Sequence, residues 1–475
     1  MPSAKGTQLI TRKRKNMSKI KQYINHLPRQ VFPVFLILIF ILIHLACPEP
    51  QKVNTSQRET TIHLEVLSTF TTTARLHISV EDTTAEWTFG LTRNGEDILT
   101  SIVYSSDTTL TDNGLNPGTQ YNYQAQWLED GVALDTSLIA IAQTMDTTSH
   151  SFLWEIDTLG IGGSYLNDVA IIDENNIWVV GNIETDTATY NAAHWDGNEW
   201  ALILIDRIVD FDGIYAFNKN DIWFSDGCFI YHYDGTSFEK QWECNWQAYG
   251  TGQANVIWGS TTDDVYFVGN NGSIVHYDGS AFTRMESGTD IDLKDIWGVM
   301  NETTGEINIW ICGDDDNLDR SIVLTLDNGE WKTVYERYPN GGGNTIDDEF
   351  YFTPKTSTLW MTADSESLWV AGGWGVYTLN DKFEPTAYTY IDIENAVGYF
   401  SFPWKIRGNG ENDILVACEN SSLFHFNGIS WHWYETFYTP NTRFINVDIQ
   451  SDFAVLAGID NTGFLSKAFV MRGYR

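Results

Sequence analysis

The chain has 475 residues, with 28 Lys/Arg against 63 Asp/Glu and a formal charge of −35. That length exceeds what one core usually serves, so two or more domains are expected. Eight of the basic residues and none of the acidic ones fall in residues 1–46, which leaves 20 basic against 63 acidic beyond them; such a surface repels phosphate backbones and argues against nucleic acid as a partner.

The amino end reads as a targeting segment. From Met17, a second candidate start, a basic stretch (Lys19, Lys21, Arg29) leads into the apolar run Val34 to Ile43 and then Ala46 and Cys47, the order of a secretory signal. The Leu45-Ala46-Cys47 junction resembles a bacterial lipoprotein cleavage site, which implies a signal over 1–46 and lipidation of Cys47. His44 departs from the aliphatic residue usual three places before the cysteine. An uncleaved membrane anchor is the alternative, although the run is short for a span of about 20 residues. Both readings place the bulk of the chain outside the cytoplasm, in the cell envelope and tethered to a membrane. Residues 47–60, polar and without periodicity, are a linker.

Residues 61–147 alternate in strand fashion through TIHLEVLS, ARLHISVE, EWTFGLTR, TQYNYQAQW and LIAIAQT, with Asn94-Gly95 and Asp130-Gly131 as turn signals. The stretch LNPGTQYNYQAQW (115–127) resembles the fibronectin type III signature. The resemblance implies a β-sandwich in which Tyr121 forms a tyrosine corner and Trp87 is a core aromatic.

Beyond a short link (146–150) the chain repeats itself every 40–45 residues or so, the range of propeller units. An apolar strand after an Asn/Asp turn recurs seven times: NNIWVVG (175–181), NDIWFSDG (220–227), DDVYFVG (263–269), INIWICG (307–313), ESLWVAGG (366–373), NDILVAC (412–418) and SDFAVLAG (451–458). A second signal follows most of them, as in AAHWDGNEW (192–200), IYHYDGTSF (230–238), IVHYDGSAF (274–282) and LFHFNGISW (423–431). Period-2 alternation joined by hairpin turns excludes helices. Each unit is a four-stranded meander that cannot bury both faces alone, so the expected fold class is all-β: a fibronectin type III-like sandwich followed by a seven-bladed β-propeller over 151–475. The seventh unit ends after its third strand, AFVMRGYR (468–475), and FLWEIDTL (152–159) stands unassigned before the first. This predicts N/C-terminal strand closure of the ring. The repeats resemble those of bacterial extracytoplasmic propellers, a pattern that specifies a fold and carries little about activity.

His194, His232, His276 and His425 recur two residues before the turn Asp or Asn. They lie on different spokes, so each is expected to bond within its own unit, to Asn176, Asp221, Asp264 or Asp413, rather than to share a metal. Cys228 and Cys244 flank the Asp234-Gly235 hairpin nearly symmetrically and form a candidate disulfide. Cys312 and Cys418 read as buried thiols. Asp314, Asp316 and Asp319 in GDDDNLDR (313–320) give a calcium candidate against the plainer reading of a solvated acidic run, and no other cofactor is implied.

No nucleophile elbow, zinc-protease helix or repeated sialidase Asp box is present. The long irregular loops 183–191, 245–253, 314–320 and 338–349 are expected on one face of the ring, where Trp246, Tyr249, Tyr338 and Trp374 are candidate ligand-binding aromatics. The function expected is a non-catalytic binding or scaffold protein recognising an envelope protein or glycan. The alternative is a propeller carbohydrate-active enzyme, a lyase or hydrolase.

Overall fold

The computed structural model describes residues 62–81, 86–206, 209–244, 254–300, 305–315, 320–337, 356–362, 367–373, 375–379 and 388–475. These are all-β, arranged in antiparallel sheets, with one short α-helix, Ile393–Val397, and one 3-10 turn, Glu435–Phe437, among them.

The amino-terminal portion contains a three-stranded sheet (Ile62–Thr69, Thr73–Val80, Asp107–Asn113) and a five-stranded one (Glu96–Val103, Trp87–Arg93, Gln120–Glu129, Val132–Thr136, Ala140–Gln143). Alternate residues of both sheets meet in one core that includes Leu76, Ile78, Trp87, Phe89, Leu91, Tyr121 and Tyr123. The Tyr121 hydroxyl accepts a hydrogen bond from the Asn116 amide at 2.8 Å, which ties the strand to the Asn116-Pro117-Gly118 turn preceding it. Leu115, just before that turn, is buried in the same core.

Among the described residues, the remainder forms seven four-stranded sheets, each a meander in sequence order except the last. The innermost strands are Tyr165–Asp173, Gly213–Asn218, Val256–Thr261, Leu293–Met300, Thr358–Met361, Pro403–Gly410 and Thr442–Gln450. Each innermost strand packs against that of the next sheet, and the seventh packs against the first, so the order of neighbours closes on itself. Each second strand divides its side chains between its two neighbouring sheets. In sheet one, Ile177 and Val179 meet Phe453 and Val455 of sheet seven, whereas Trp178 and Val180 meet Ile222 and Phe224 of sheet two. Burial on both faces is why these segments read as continuous apolar runs.

Sheet seven takes its fourth strand from the start of the repeat region. Leu153–Leu159 pairs antiparallel with Lys467–Tyr474, from Ala468 opposite Leu159 to Tyr474 opposite Leu153. Arg472, buried, donates to Asp157 of the joining strand at 2.9 Å and stacks 3.7 Å from the Trp195 ring centroid of sheet one.

The recurring Asp-Gly and Asn-Gly turns have a steric reason. Gly197, Gly235, Gly279 and Gly428 all have φ between 84° and 93°, a region costly for any residue with a Cβ. Each also abuts the neighbouring turn of its own sheet; a Cβ on Gly197 would lie 2.8 Å from Asn175 Oδ1, and one on Gly279 would lie 2.7 Å from Asp263 Cβ. Beside these turns, the ring histidines bond as the repeat suggested: His194 to Asn176 at 2.8 Å, His232 to Asp221 at 2.7 Å, His276 to Asp264 at 2.7 Å and His425 to Asp413 at 2.9 Å. Cross-strand aromatics cover three of them, with ring centroids 4.5 Å apart for Trp178–His194 and for Trp223–His232, and 4.3 Å for Tyr266–His276.

The sandwich-like portion is seated on the hairpin end of sheet six. Thr148 Oγ1 donates to the Asn412 carbonyl at 2.6 Å, and Asn412 Nδ2 donates to the Asp146 carbonyl at 2.7 Å. The Tyr434 hydroxyl donates to the His150 carbonyl at 2.7 Å.

Candidate functional site

The innermost strands begin at the end of the ring opposite the hairpins, and their first residues build the site. One position recurs there: Asp168 in sheet one, Asp295 in sheet four and Thr358 in sheet five. Asp168 Oδ2 accepts from the Ile214 amide at 3.0 Å, Asp295 Oδ2 from the Leu359 amide at 3.1 Å, and Thr358 Oγ1 from the Ile406 amide at 3.2 Å. Each therefore satisfies a backbone donor of the adjoining sheet and fixes the spacing of neighbouring strands at the axis.

Asp295 is the hub. Lys405 Nζ donates to its Oδ1 at 2.8 Å, Arg407 reaches both oxygens at 2.9 and 3.0 Å, and the Thr358 hydroxyl donates at 2.6 Å. Burial alone would raise the carboxyl, but Arg407 and Lys405 outweigh it and hold it well below the usual range. The Arg407 guanidinium lies 4.7 Å from the Trp297 ring centroid. Asp168 is pushed up to about 6 by burial, with Lys405 offsetting part of the effect. A small cavity of about 150 Å³ runs along the axis between these groups and Asp448.

Above it opens a larger vestibule of about 450 Å³, lined by the starts of innermost strands and the ends of second strands. One wall carries Phe402, Trp404, Glu419 and Arg443. Trp404 Nε1 donates to Glu419 Oε2 at 2.8 Å, Arg443 Nε donates to Glu419 Oε1 at 3.1 Å, and the guanidinium sits 5.4 Å from the Trp404 ring centroid. The indole is thus held half-buried with its orientation fixed. Asn167, Asp212 and Asn446 also line the vestibule. Asn167 and Asn446 spend their amide nitrogens on the Phe211 carbonyl and Asp168. Burial, with Asp210 and Asp226 nearby, pushes the Asp212 carboxyl up to about 7. Lys405 reaches the vestibule floor with Asp295 as its one acceptor among the described residues.

Several residues expected at the site lie outside the described residues: Cys47, Trp246, Tyr249, Tyr338, Trp374, Asp316 and Asp319. Asp314 is described; it is buried beside the vestibule, its amide bonded to the Asp292 carbonyl at 3.0 Å, and the adjacent Asp315 pairs with Arg320 at 2.9 Å. Among the described residues, no three His, Cys, Asp or Glu side chains are placed to hold a metal, and no helix is long and apolar enough to cross a membrane. Cys228 and Cys244 are joined as a disulfide, Cα–Cα 5.0 Å. Beside it, Gly227 pairs with Ala254, so Cys244 and Ala254 both meet the Gly227-Cys228 dipeptide. Cys312 and Cys418 are buried free thiols.

Apart from Asp314, the vestibule residues are not among those the sequence singled out. The available signal was a charged residue interrupting an otherwise apolar inner strand at one register: Asp168-Val169, Asp295-Ile296 and Lys405-Ile406.

No family model matches the chain, and no curated protein does. Solved structures similar to it come from B. thetaiotaomicron. The extracellular domain of the putative hybrid two component system BT4673 gives a TM-score of 0.43 at 11% identity, over 67% of this chain and 40% of that one. The corresponding domain of BT3049 gives 0.36 at 9% identity, over 81% and 57%. The extracellular domain of the putative one component system BT4673 gives 0.29 at 9% identity, over 86% and 60%. This chain thus spans roughly two fifths to three fifths of the length of those it resembles. At such scores the likeness carries neither fold nor function across.

Proposed function

We propose that the chain is a non-catalytic binding protein of the cell envelope. In this reading the seven sheets are the blades of a β-propeller, and the amino-terminal sheets are a fibronectin type III-like spacer. The axial vestibule receives a protein or glycan partner. Cyclic inner-strand contacts and the shared seventh sheet support the propeller; the Tyr121–Asn116 bond supports the spacer. Extracytoplasmic placement rests on the signal-like segment ending at Cys47 and on the Cys228–Cys244 bond, since such bonds persist in oxidising compartments.

The observation that carries the binding role is the vestibule itself. About 450 Å³ is the size of a small-ligand pocket, and it combines a braced indole with polar groups whose hydrogen-bonding capacity is unfilled. The test is a glycan array together with capture of envelope proteins, each run with the full chain and with Trp404→Ala. Retention of a ligand or partner by wild type and its loss from the variant is the expected result. Binding unaffected by the variant would move the site elsewhere.

A second reading, a carbohydrate-active enzyme, draws on Asp212, whose raised carboxyl would hold a proton near neutral pH as a general acid does. Its weakness is the partner base. Asp168 is already engaged by two backbone amides and Asn446. Turnover of a polysaccharide panel, abolished in Asp212→Asn, would install the enzyme reading in place of the first.

A further inference from the structure

The vestibule is chemically two-sided. Its cations are Lys405, Lys294 and Arg443, each with one carboxylate partner (Asp295, Asp292 and Glu419), and its polar acceptors include Asp212, Asn167 and Asn446. Lys405 is nine-tenths buried yet has a single acceptor, so two ammonium protons remain to be satisfied. Arg443 uses Nε for Glu419 and keeps both Nη groups for a ligand, while its face is held against Trp404. A buried ammonium with one acceptor and a forked guanidinium lining the same cavity can together receive a carboxylate. The aromatic wall and the polar acceptors fit a hydroxylated ring, the indole taking its apolar face and the oxygens taking its hydroxyl protons.

Resting on the vestibule as the binding site, we infer that its ligand is a sugar carrying one carboxylate, a uronic-acid residue exposed on a glycan, with Lys405 and Arg443 holding the carboxylate and Trp404 stacking on the ring. The charge distribution narrows the class further. Beyond residue 46 the chain sets 63 acidic against 20 basic residues, and four of those 20 (Lys294, Lys405, Arg407, Arg443) line the two axial cavities. A densely charged polyanion meets the field of the whole surface, whereas a single carboxylate on an otherwise neutral chain needs to match only the Lys405 and Arg443 donors within a lining that also holds Asp168, Asp212, Asp314 and Glu419.

The test is calorimetry on the purified full chain with methyl β-D-glucuronide and methyl β-D-glucoside, at low and high salt. The expected result is a glucuronide preference of about tenfold or more, the scale of one charge-assisted pair, and a weakening with salt. Arg443 is a safe site to alter because its side chain is 42% exposed. Arg443→Gln should bring the two glycosides to within about twofold while Trp404→Ala weakens both. Equal affinities, both sensitive to Trp404→Ala, would overturn the carboxylate inference and leave the vestibule as the site. No binding of either glycoside at millimolar concentration would also overturn it, and the array and capture experiment would then decide separately whether the vestibule binds anything. A preference that survives Arg443→Gln in a variant with unchanged melting would remove Arg443 from the receptor and sink the assignment as stated.

Discussion

The Nδ1 atoms of His150 and His425 lie 2.7 Å apart, one on the link between the two portions of the chain and the other on sheet six. His425 Nε2 faces the Asp413 carboxylate at 2.9 Å and must carry a proton, so a neutral His425 presents a bare Nδ1 to an N–H of His150. His150 Nε2 is then left to accept from the Ser430 hydroxyl at 3.2 Å. A proton added to His150 places a partly buried charge beside Arg475.

Acid should therefore loosen this junction. Burial lowers His150 to about 4, reinforced by His425, His432 and Arg475. In the unfolded chain His150 takes its proton near 6.5, so between about 6.5 and about 4 the unfolded state binds more protons and stability falls as pH falls. His150 should contribute a slope of about one proton to melting curves across that window, against the opposite contributions of the raised carboxyls of Asp168 and Asp212. His150→Gln should flatten the slope by that amount; an unchanged slope would remove His150 from the account.

The closing strand should control the whole ring. Asp157 accepts from Arg472 at 2.9 Å and from Trp200 Nε1 at 3.1 Å, so one carboxylate joins the last sheet to the first. Asp157→Ala should cost about 2 kcal/mol in urea unfolding, the scale of hydrogen bonds to a charged group. Deletion of 151–160 should abolish the cooperative transition of the repeat region. A full-amplitude melt at the wild-type temperature would show that the seventh sheet does not need its borrowed strand.

The disulfide should contribute about 3 kcal/mol, given a sequence separation of 16. Cys228→Ser with Cys244→Ser should lower stability by that amount without changing the array profile. In the native chain without reductant, labelling should find neither of these thiols; modification of both would show the bond to be absent. Burial raises the thiols of Cys312 and Cys418 well above their usual value, so both should stay unlabelled until the chain unfolds.

Asp295→Asn should be the most damaging axial change. It leaves Lys405 and Arg407 buried without their counter-charge, a loss of about 3–5 kcal/mol, readable as a shifted urea midpoint. A loss below about 1 kcal/mol would mean that water screens the axis more than the packing implies.

Much of this fold is written in local chemistry. Asp-Gly turns, apolar runs and the His-to-turn spacing each involve residues close in sequence, so the repeat, its sheets and the missing strand beside Ala468–Tyr474 were all legible. The axis was not. Lys405 looks like an ordinary strand lysine until Asp295, 110 positions earlier, is brought beside it, and nothing local announces that pairing. The aromatics expected from loop irregularity, Trp246, Tyr249, Tyr338 and Trp374, lie outside the described residues. The vestibule's described walls instead come from strand beginnings such as Trp404 and Lys405, and from second-strand ends such as Glu419. His150 escaped notice for a similar reason: the link 146–150 carries no pattern, and its partner lies 275 residues away.

The seat of the amino-terminal sheets on sheet six sets a direction for the molecule. Thr71 packs against Gly428 at the hairpin end, so the strand Ile62–Thr69 runs toward the ring, and the chain enters some 25 Å back from it. The vestibule opens at the far rim, beyond the full height of the innermost strands. The amino-terminal sheets thus sit at the hairpin end, and none of their described residues lines the vestibule.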